Sequence, residues 1–428
     1  MKFWNCVLAY CPCQCWSLEK LTISETNTDI TKVANAFSTD NNASKASIFA
    51  NTEVKVSGGN GAVTITGDLL RGLVANIDGS KTAAAALNRT LIATATARAT
   101  FLDTVMGNAL NTLSFLHHKD RASSSLGSYK NANLYANATT IRNDLLSQSS
   151  SYASNKNNLF FVLPYYSYTK VELDRGVFSK GHTQGLVLGY SFFNPKSDDY
   201  YGIYIGYDDF SAHSQYFTLD NKTYFAGLKY YNPLTPALNK QAYIKINAQA
   251  GLIKNNMTQK GEIEYSGTPA TYAYALSSDI GVHLRVAKSI FSPELGIGYE
   301  GGYTPKYALT NTQNTYARIT NTHTTNLYKT RTQFSWFMDW AKYTKTLVNV
   351  GAEYTLNPQI ANPRGTYTNM GNASYGEGKT KIDPLLAFLG ANLAIPLDER
   401  FYITFNYNTT FNSKLTQHTG YMKLNFMW

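Results

Sequence analysis

The last twelve residues, 417–428, restrict what this chain can become more than any other stretch. They alternate strictly and end on an aromatic. Met422, Leu424, Phe426 and Trp428 fall on one face of an extended strand, and Tyr421, Lys423, Asn425 and Met427 on the other. A final strand that is apolar on every second residue up to its terminal Trp suits a cylinder that closes on itself with one face against lipid.

The same period runs back to Leu159. Twelve candidate strands begin near Leu159, Thr183, Tyr200, Lys222, Gln241, Tyr272, Ile290, Thr332, Thr346, Pro384, Arg400 and Thr416. The clearest have clean faces: Ala242, Ile244 and Ile246 oppose Tyr243, Lys245 and Asn247, while Leu276, Ile280 and Val282 oppose Asp279, His283 and Arg285. Val348, Val350 and Tyr354 oppose Asn349 and Glu353, and Phe401, Phe405 and Tyr407 oppose Tyr402, Asn406 and Asn408. Charges in mid-strand point to an aqueous interior, so Lys245, Arg285, Glu353 and Lys423 are expected to face a lumen. Composition agrees. Charged residues make up 15 %, against about 25 % in a typical soluble domain, and aromatics reach 14 % with 32 Tyr. Mean hydropathy is −0.28, and no apolar run is long enough for a membrane helix. Aromatic pairs such as Tyr165-Tyr166, Phe192-Phe193, Tyr200-Tyr201 and Tyr230-Tyr231 cluster toward strand ends, where interfacial girdles would lie. The long polar connections 254–271, 303–331 and 357–383 follow the fifth, seventh and ninth strands, so all fall on one side of an up-and-down barrel. The expected fold is therefore all-β and transmembrane: a 12-stranded antiparallel outer-membrane barrel over 159–428.

The part before the barrel reads differently. Cys6, Cys11, Cys13 and Cys15 are the only cysteines. They lack the second ligand pair of a zinc site, and residues 1–20 make an atypical Cys-rich N-terminus without a clear export signal. We expect the reading frame to begin inside a longer ancestor. Residues 21–130 carry short β-like runs, with a Gly58-Gly59-Asn60-Gly61 turn that suits a hairpin or a solenoid corner. No Lys-Ser/Thr follows it at phosphate-loop spacing. From 81 to 117, Leu87, Leu91, Ile92, Ala95, Ala99, Leu102 and Met106 recur at three- and four-residue steps, an Ala-rich amphipathic helix able to pack on something. Residues 131–158 hold a linker and a second, mostly polar helix, about 135–152, with Arg142 and Asp144.

Twelve C-terminal strands, a polar helix just before the first, and a terminal Phe426-Met427-Trp428 resemble the translocator domain of type V secretion autotransporters. The Asn- and Tyr-rich style and the Ala-rich helical stretch are most similar to the vacuolating-cytotoxin-like, toxin-like outer membrane members. The resemblance implies a pore that carries or anchors an N-terminal passenger at the cell surface, here a short passenger remnant. It implies outer-membrane lipid, the barrel-assembly machinery, periplasmic chaperones and the chain's own passenger segment as partners. Met422, Leu424, Phe426 and Trp428 would form the assembly signal. Geometry is compatible: strands about 4.8 Å apart and tilted about 40° give a backbone radius of roughly 12 Å, enough for one helix of about 10–12 Å diameter. The helix around Arg142 and Asp144 is then a candidate pore helix, and the lumen charges either bond it or simply line water.

Other functions have weaker support. The formal charge of +10 is scattered and forms no nucleic-acid stripe. His182, His213, His283, His323 and His418 lie on different strands and loops, with Asp208-Asp209 near His213 as the sole acid–His neighbourhood. No catalytic, cofactor or metal constellation is expected, and the chain reads as a non-enzyme. A porin-like channel is the main rival, though porins usually have 16 or 18 strands, and a surface adhesin is a third reading.

Overall fold

The computed structural model describes residues 20–24, 52–57, 62–67, 83–107 and 157–428, apart from 195–198, 236–239, 261–263, 287–288, 313–316, 342–343, 368–373, 377 and 398–399. Twelve long strands form one antiparallel cylinder: β1 (Asn158–Asp174), β2 (Val177–Asn194), β3 (Asp199–His213), β4 (Phe217–Pro233), β5 (Lys240–Gln259), β6 (Ala270–Val286), β7 (Ser289–Thr304), β8 (His323–Ala341), β9 (Thr344–Thr355), β10 (Leu385–Pro396), β11 (Phe401–Phe411) and β12 (Leu415–Met427). Every expected strand is present. Each pairs with its sequence neighbours, and β12 pairs with β1 to close the ring. The seam runs from Leu159 opposite Met427 to Val171 opposite Leu415, and at its foot Asn158 and Trp428 exchange two backbone hydrogen bonds of 3.1 Å.

Alternation along the strands separates two surfaces. Outside, Ile203, Leu228, Leu295 and Ile297 are each more than half exposed and form an apolar belt around the waist. Aromatic girdles border it. At the rim that holds both barrel ends, here the near rim, Tyr201 and Tyr230 pack at 5.1 Å, Phe401 and Phe426 at 4.6 Å, and Phe426 and Trp428 at 5.2 Å. Toward the far rim, Tyr207 and Tyr224 pack at 5.2 Å and Tyr299 and Tyr328 at 5.3 Å. An apolar band between two aromatic rings is the surface of a barrel that spans a bilayer. Met422, Leu424, Phe426 and Trp428 are all on this outer face, with Leu424 and Trp428 exposed. Inside, the alternate residues are largely buried and mix polar, aromatic and aliphatic side chains.

Connections differ between rims. Those at the near rim are short (195–198, 234–239, 287–288, 342–343 and 397–400), whereas the far rim carries 260–269, 305–322 and 356–384. These long far-rim connections contain strands of their own. Tyr265–Gly267, Tyr307–Thr310, Ala317–Thr320 and Gly365–Tyr367 pair in series and extend the sheet beyond the barrel on the β5–β9 side. Before the barrel, Thr52–Ser57 pairs antiparallel with Ala62–Gly67, with Lys20–Ser24 as third strand; the Gly58-Gly59-Asn60-Gly61 turn expected between them lies outside the described residues.

One helix, α1, covers residues 83–107. It contains Thr at many positions, a poor helix former, and Thr94 donates to the carbonyl of Thr90 (2.8 Å), one turn back. It is about 37 Å long, close to the height of the cylinder. The helix lies in the lumen. The sequence reading identifies the same periodic segment and groups it with residues 21–130 as part of the passenger remnant. Residues 131–156, including the expected pore helix with Arg142 and Asp144, lie outside the described residues.

A repeated device makes room for α1. Phe161, Tyr165, Tyr204 and Phe225 point inward and are buried, and each stands directly opposite a glycine on the adjacent strand: Gly189, Gly185, Gly227 and Gly206 respectively. A Cβ at any of these glycines would overlap the ring facing it. The missing side chains let the rings lie flat across the neighbouring backbone, so the wall stays thin and a helix fits beside it. Replacing Gly189 by Val should therefore destabilise the barrel by about 1–3 kcal/mol through overpacking, seen as a lower temperature for conversion of the compact gel band. Phe161→Ala in the same chain should recover part of the loss. Additive losses in the double variant would show that ring and glycine do not depend on each other.

Candidate functional site

The lumen is asymmetric, and α1 matches both of its halves. Phe101, Leu102, Val105 and Met106 pack with Phe161, Leu163, Tyr165, Val187, Tyr204 and Phe225 on the β1–β4 wall. Nearer the far rim, Ala86, Leu87 and Ala97 pack with Val171, Leu173, Phe217, Leu219 and Leu309. Because β1 runs from the near to the far rim, α1 enters the lumen at the far rim and ends toward the near one.

The opposite side of α1 is polar and meets the β5–β9 wall. Asp103 accepts hydrogen bonds from Asn247 (3.1 Å), Ser277 and the guanidinium of Arg331. Arg331 also donates to Thr104 and to Gln333, each at 2.8 Å, and lies 3.8 Å from Glu353. Thr100 donates to Glu353 at 2.8 Å, and Lys329 bridges Glu353 (3.2 Å) and Glu300. A further pair, Arg98 and Asp208, sits at 3.4 Å where Tyr165 donates to the same carboxylate at 2.9 Å. Buried ion pairs add little net stability, because desolvation offsets attraction, but an unmatched partner is costly. The network therefore fixes the rotation and depth of α1: any slip strands a carboxylate or a guanidinium away from water.

All four lumen charges expected from sequence are on the inner face. Glu353 touches α1 directly. Lys245 lies beside Gly107, the last described residue of α1, and is held by Glu294 at 2.6 Å and Asp279 at 4.0 Å. Lys423 is buried against the Phe161 ring, and Arg285 is half-buried at the near-rim end of β6. Of the other residues that bond the helix, Arg331 and Ser277 are not singled out by sequence, Asn247 is placed there only on the polar face of its strand, and Asp208 only beside a histidine. They occupy inward positions of strands correctly located, so strand parity was the available signal. Which of them touch α1 depends on the depth of a helix whose place was not legible.

Asp208 and Asp209 separate onto opposite faces, as neighbours in a strand must, and His213 faces outward, so these residues form no common centre. His283 is buried inside with both ring nitrogens occupied, by Ser292 at 2.7 Å and the Tyr231 hydroxyl at 3.0 Å. It stacks on Tyr243 at 3.9 Å. That arrangement packs the near-rim end of the lumen. Alongside the far-rim half of α1, a cavity of about 140 Å³ lined by Arg98, Asp208, Asn221, Asn255 and Gln417 remains unfilled by protein.

Among solved structures, the chain is similar to the translocator domain of autotransporter NalP from Neisseria meningitidis, with a TM-score of 0.53 at 12 % identity, covering 68 % of this chain and 96 % of that one. The β domain of the Bordetella autotransporter BrkA scores 0.46 at 10 % identity, covering 64 % and 100 %. The transport unit of AIDA-I from Escherichia coli scores 0.45 at 8 % identity, covering 67 % and 97 %. No family model matches the sequence, and no curated protein matches it. At 12 % identity the likeness to the NalP domain shows the fold alone, a closed 12-stranded barrel preceded by a helix.

The polar contacts yield a direct test. Arg331→Met leaves Asp103 and Glu353 short of a buried cation and should cost about 3–5 kcal/mol. We expect α1 to loosen before the barrel does, so that in intact membranes residues 83–107 become cleavable by added protease while the compact gel band persists. Continued protection of α1 would show that its apolar face alone holds it.

Proposed function

We propose that this chain is an autotransporter translocator domain of the bacterial outer membrane, whose pore holds α1 and presents the preceding segment at the cell surface. One observation carries the reading: α1 crosses the lumen with its N-terminal end at the far rim, while both ends of the barrel meet at the near rim. Bacterial barrels keep short turns on the periplasmic side and long loops outside. By that rule the far rim is external, and α1 opens to the outside at its N-terminal side. The sheet of residues 20–24, 52–57 and 62–67 is then surface-exposed material tethered through the pore.

The toxin-like subtype is a narrower reading, supported by the Ala-rich helix ahead of the barrel and by the Asn- and Tyr-rich strands. Met422, Leu424, Phe426 and Trp428 would serve as the signal read by the barrel-assembly machinery, with periplasmic chaperones escorting the unfolded chain. Pore formation without catalysis is favoured by the separation of Asp208, Asp209 and His213 described above. A general porin is disfavoured by the helix that occupies the lumen.

An epitope inserted just after residue 67 should be bound by antibody on intact cells, and Trp428→Ala should reduce that signal together with membrane insertion. In planar bilayers, removal of residues 83–107 should raise single-channel conductance several-fold with the barrel still folded. An epitope reached only after the outer membrane is opened would overturn the translocator reading. Large conductance in the full chain, unchanged by the deletion, would favour a porin.

A further inference from the structure

Most inward-facing charges of the wall meet a partner, as the networks of Asp103, Asp208, Glu294 and Glu353 show. Lys229 on β4 and Lys423 on β12 do not. They are 2 % and 6 % exposed, and their ammonium groups lie 4.9 and 4.3 Å from the centre of the same ring, Phe161. Among the described residues, no carboxylate forms an ion pair with either. The Lys229 ammonium is buried without any hydrogen-bond acceptor.

Two further groups near the ring are also unsatisfied. Ser191 stands opposite Gly202, itself opposite Lys229, and its hydroxyl is buried without a partner. Asn425 stands opposite Phe161. Its amide nitrogen donates to the Tyr402 and Lys423 carbonyls, which leaves its side-chain oxygen unbonded. Apolar clusters bound the place on both sides: Leu163, Met106 and Val187 toward the far rim, and Leu159, Tyr200, Tyr231 and Met427 toward the near rim.

A buried polar group without a partner signals a ligand, ion or water that completes it. The Phe161 ring attracts a cation over its face, but it cannot satisfy three N–H donors on each of two ammonium groups, nor cancel their mutual repulsion. We propose that Lys229 and Lys423 bind a small inorganic anion, chloride or a tetrahedral oxyanion, beside Phe161, with Ser191 as a third donor. The glycine at 202 is part of the site, since a Cβ there would overlap the Lys229 stem that crosses it. This site depends on the barrel interior and not on whether the barrel secretes or conducts.

The test uses the full chain refolded in detergent, reading the temperature at which the compact gel band converts. Sodium chloride, sulfate or phosphate is titrated against sodium gluconate at equal ionic strength. A saturable upward shift of several degrees with at least one small anion is expected. The double variant Lys229→Gln, Lys423→Gln should lose that shift and, in gluconate, convert at no lower temperature than the parent. Absence of an anion-specific shift in the parent, or an equal shift in the double variant, would overturn the proposal. Should the double variant fail to fold, chloride NMR linewidth on the parent decides: broadening that phosphate displaces supports the site, and no broadening overturns it.

Discussion

Inside a hydrocarbon layer a backbone amide must find its hydrogen bond within the protein, since leaving one unmade costs several kcal/mol. A sheet meets this demand only by closing, and the pairing of β12 on β1 is where closure happens here. The rest of the structure depends on that seam. Closure of an even, antiparallel set brings Asn158 and Trp428 to the same rim, forces every second side chain inward, and creates a lumen wide enough for one helix. The terminal strand is thus both the last element of the sequence and the partner of the first strand of the barrel.

A lumen of this size has to be filled or wet. Here it is filled by a helix whose two faces match two differently built walls. The aromatic wall of β1–β4 owes its flatness to glycines placed opposite each ring, so apolar contact with α1 is possible without widening the cylinder. The β5–β9 wall supplies Asn247, Ser277, Arg331 and Glu353, which bond Asp103, Thr100 and Thr104. Apolar packing supplies attraction without direction, whereas the ionic contacts specify one depth and one rotation. Together they make α1 a fixed occupant, consistent with a segment that stays in the pore while the chain before it lies outside.

The barrel was legible because its signal is periodic and repeated. Alternation in Ala242–Leu252 or Phe401–Phe411 follows directly from lipid on one side and a lumen on the other, and connecting residues break the pattern eleven times. The lumen positions of Lys245, Arg285, Glu353 and Lys423 followed from the same parity. What parity leaves open is contact across the lumen. A polar helix suits a watery pore, so composition favours the stretch with Arg142 and Asp144, which lies outside the described residues. The aromatic wall rewards an apolar stripe instead, and that wall becomes visible only when Gly185, Gly189, Gly206 and Gly227 are set opposite Tyr165, Phe161, Phe225 and Tyr204. Register between strands, which a single sequence does not state, carried the missing information.

At mid-height α1 lies within the barrel against the β6 and β7 walls. Ala99 on the helix and Ala275 on β6 border the same small gap, and neither belongs to the ionic network. The residues beyond position 15 contain no cysteine, so single thiols placed there report cleanly once Cys6, Cys11, Cys13 and Cys15 are changed to Ser. With Ala99→Cys and Ala275→Cys, a short thiol-reactive cross-linker should join helix to wall in the membrane-inserted protein. Tyr274→Cys on the outer face should give no link with the same helix position. Failure of the 99–275 link, or equal linking to both wall positions, would contradict a helix held in the lumen.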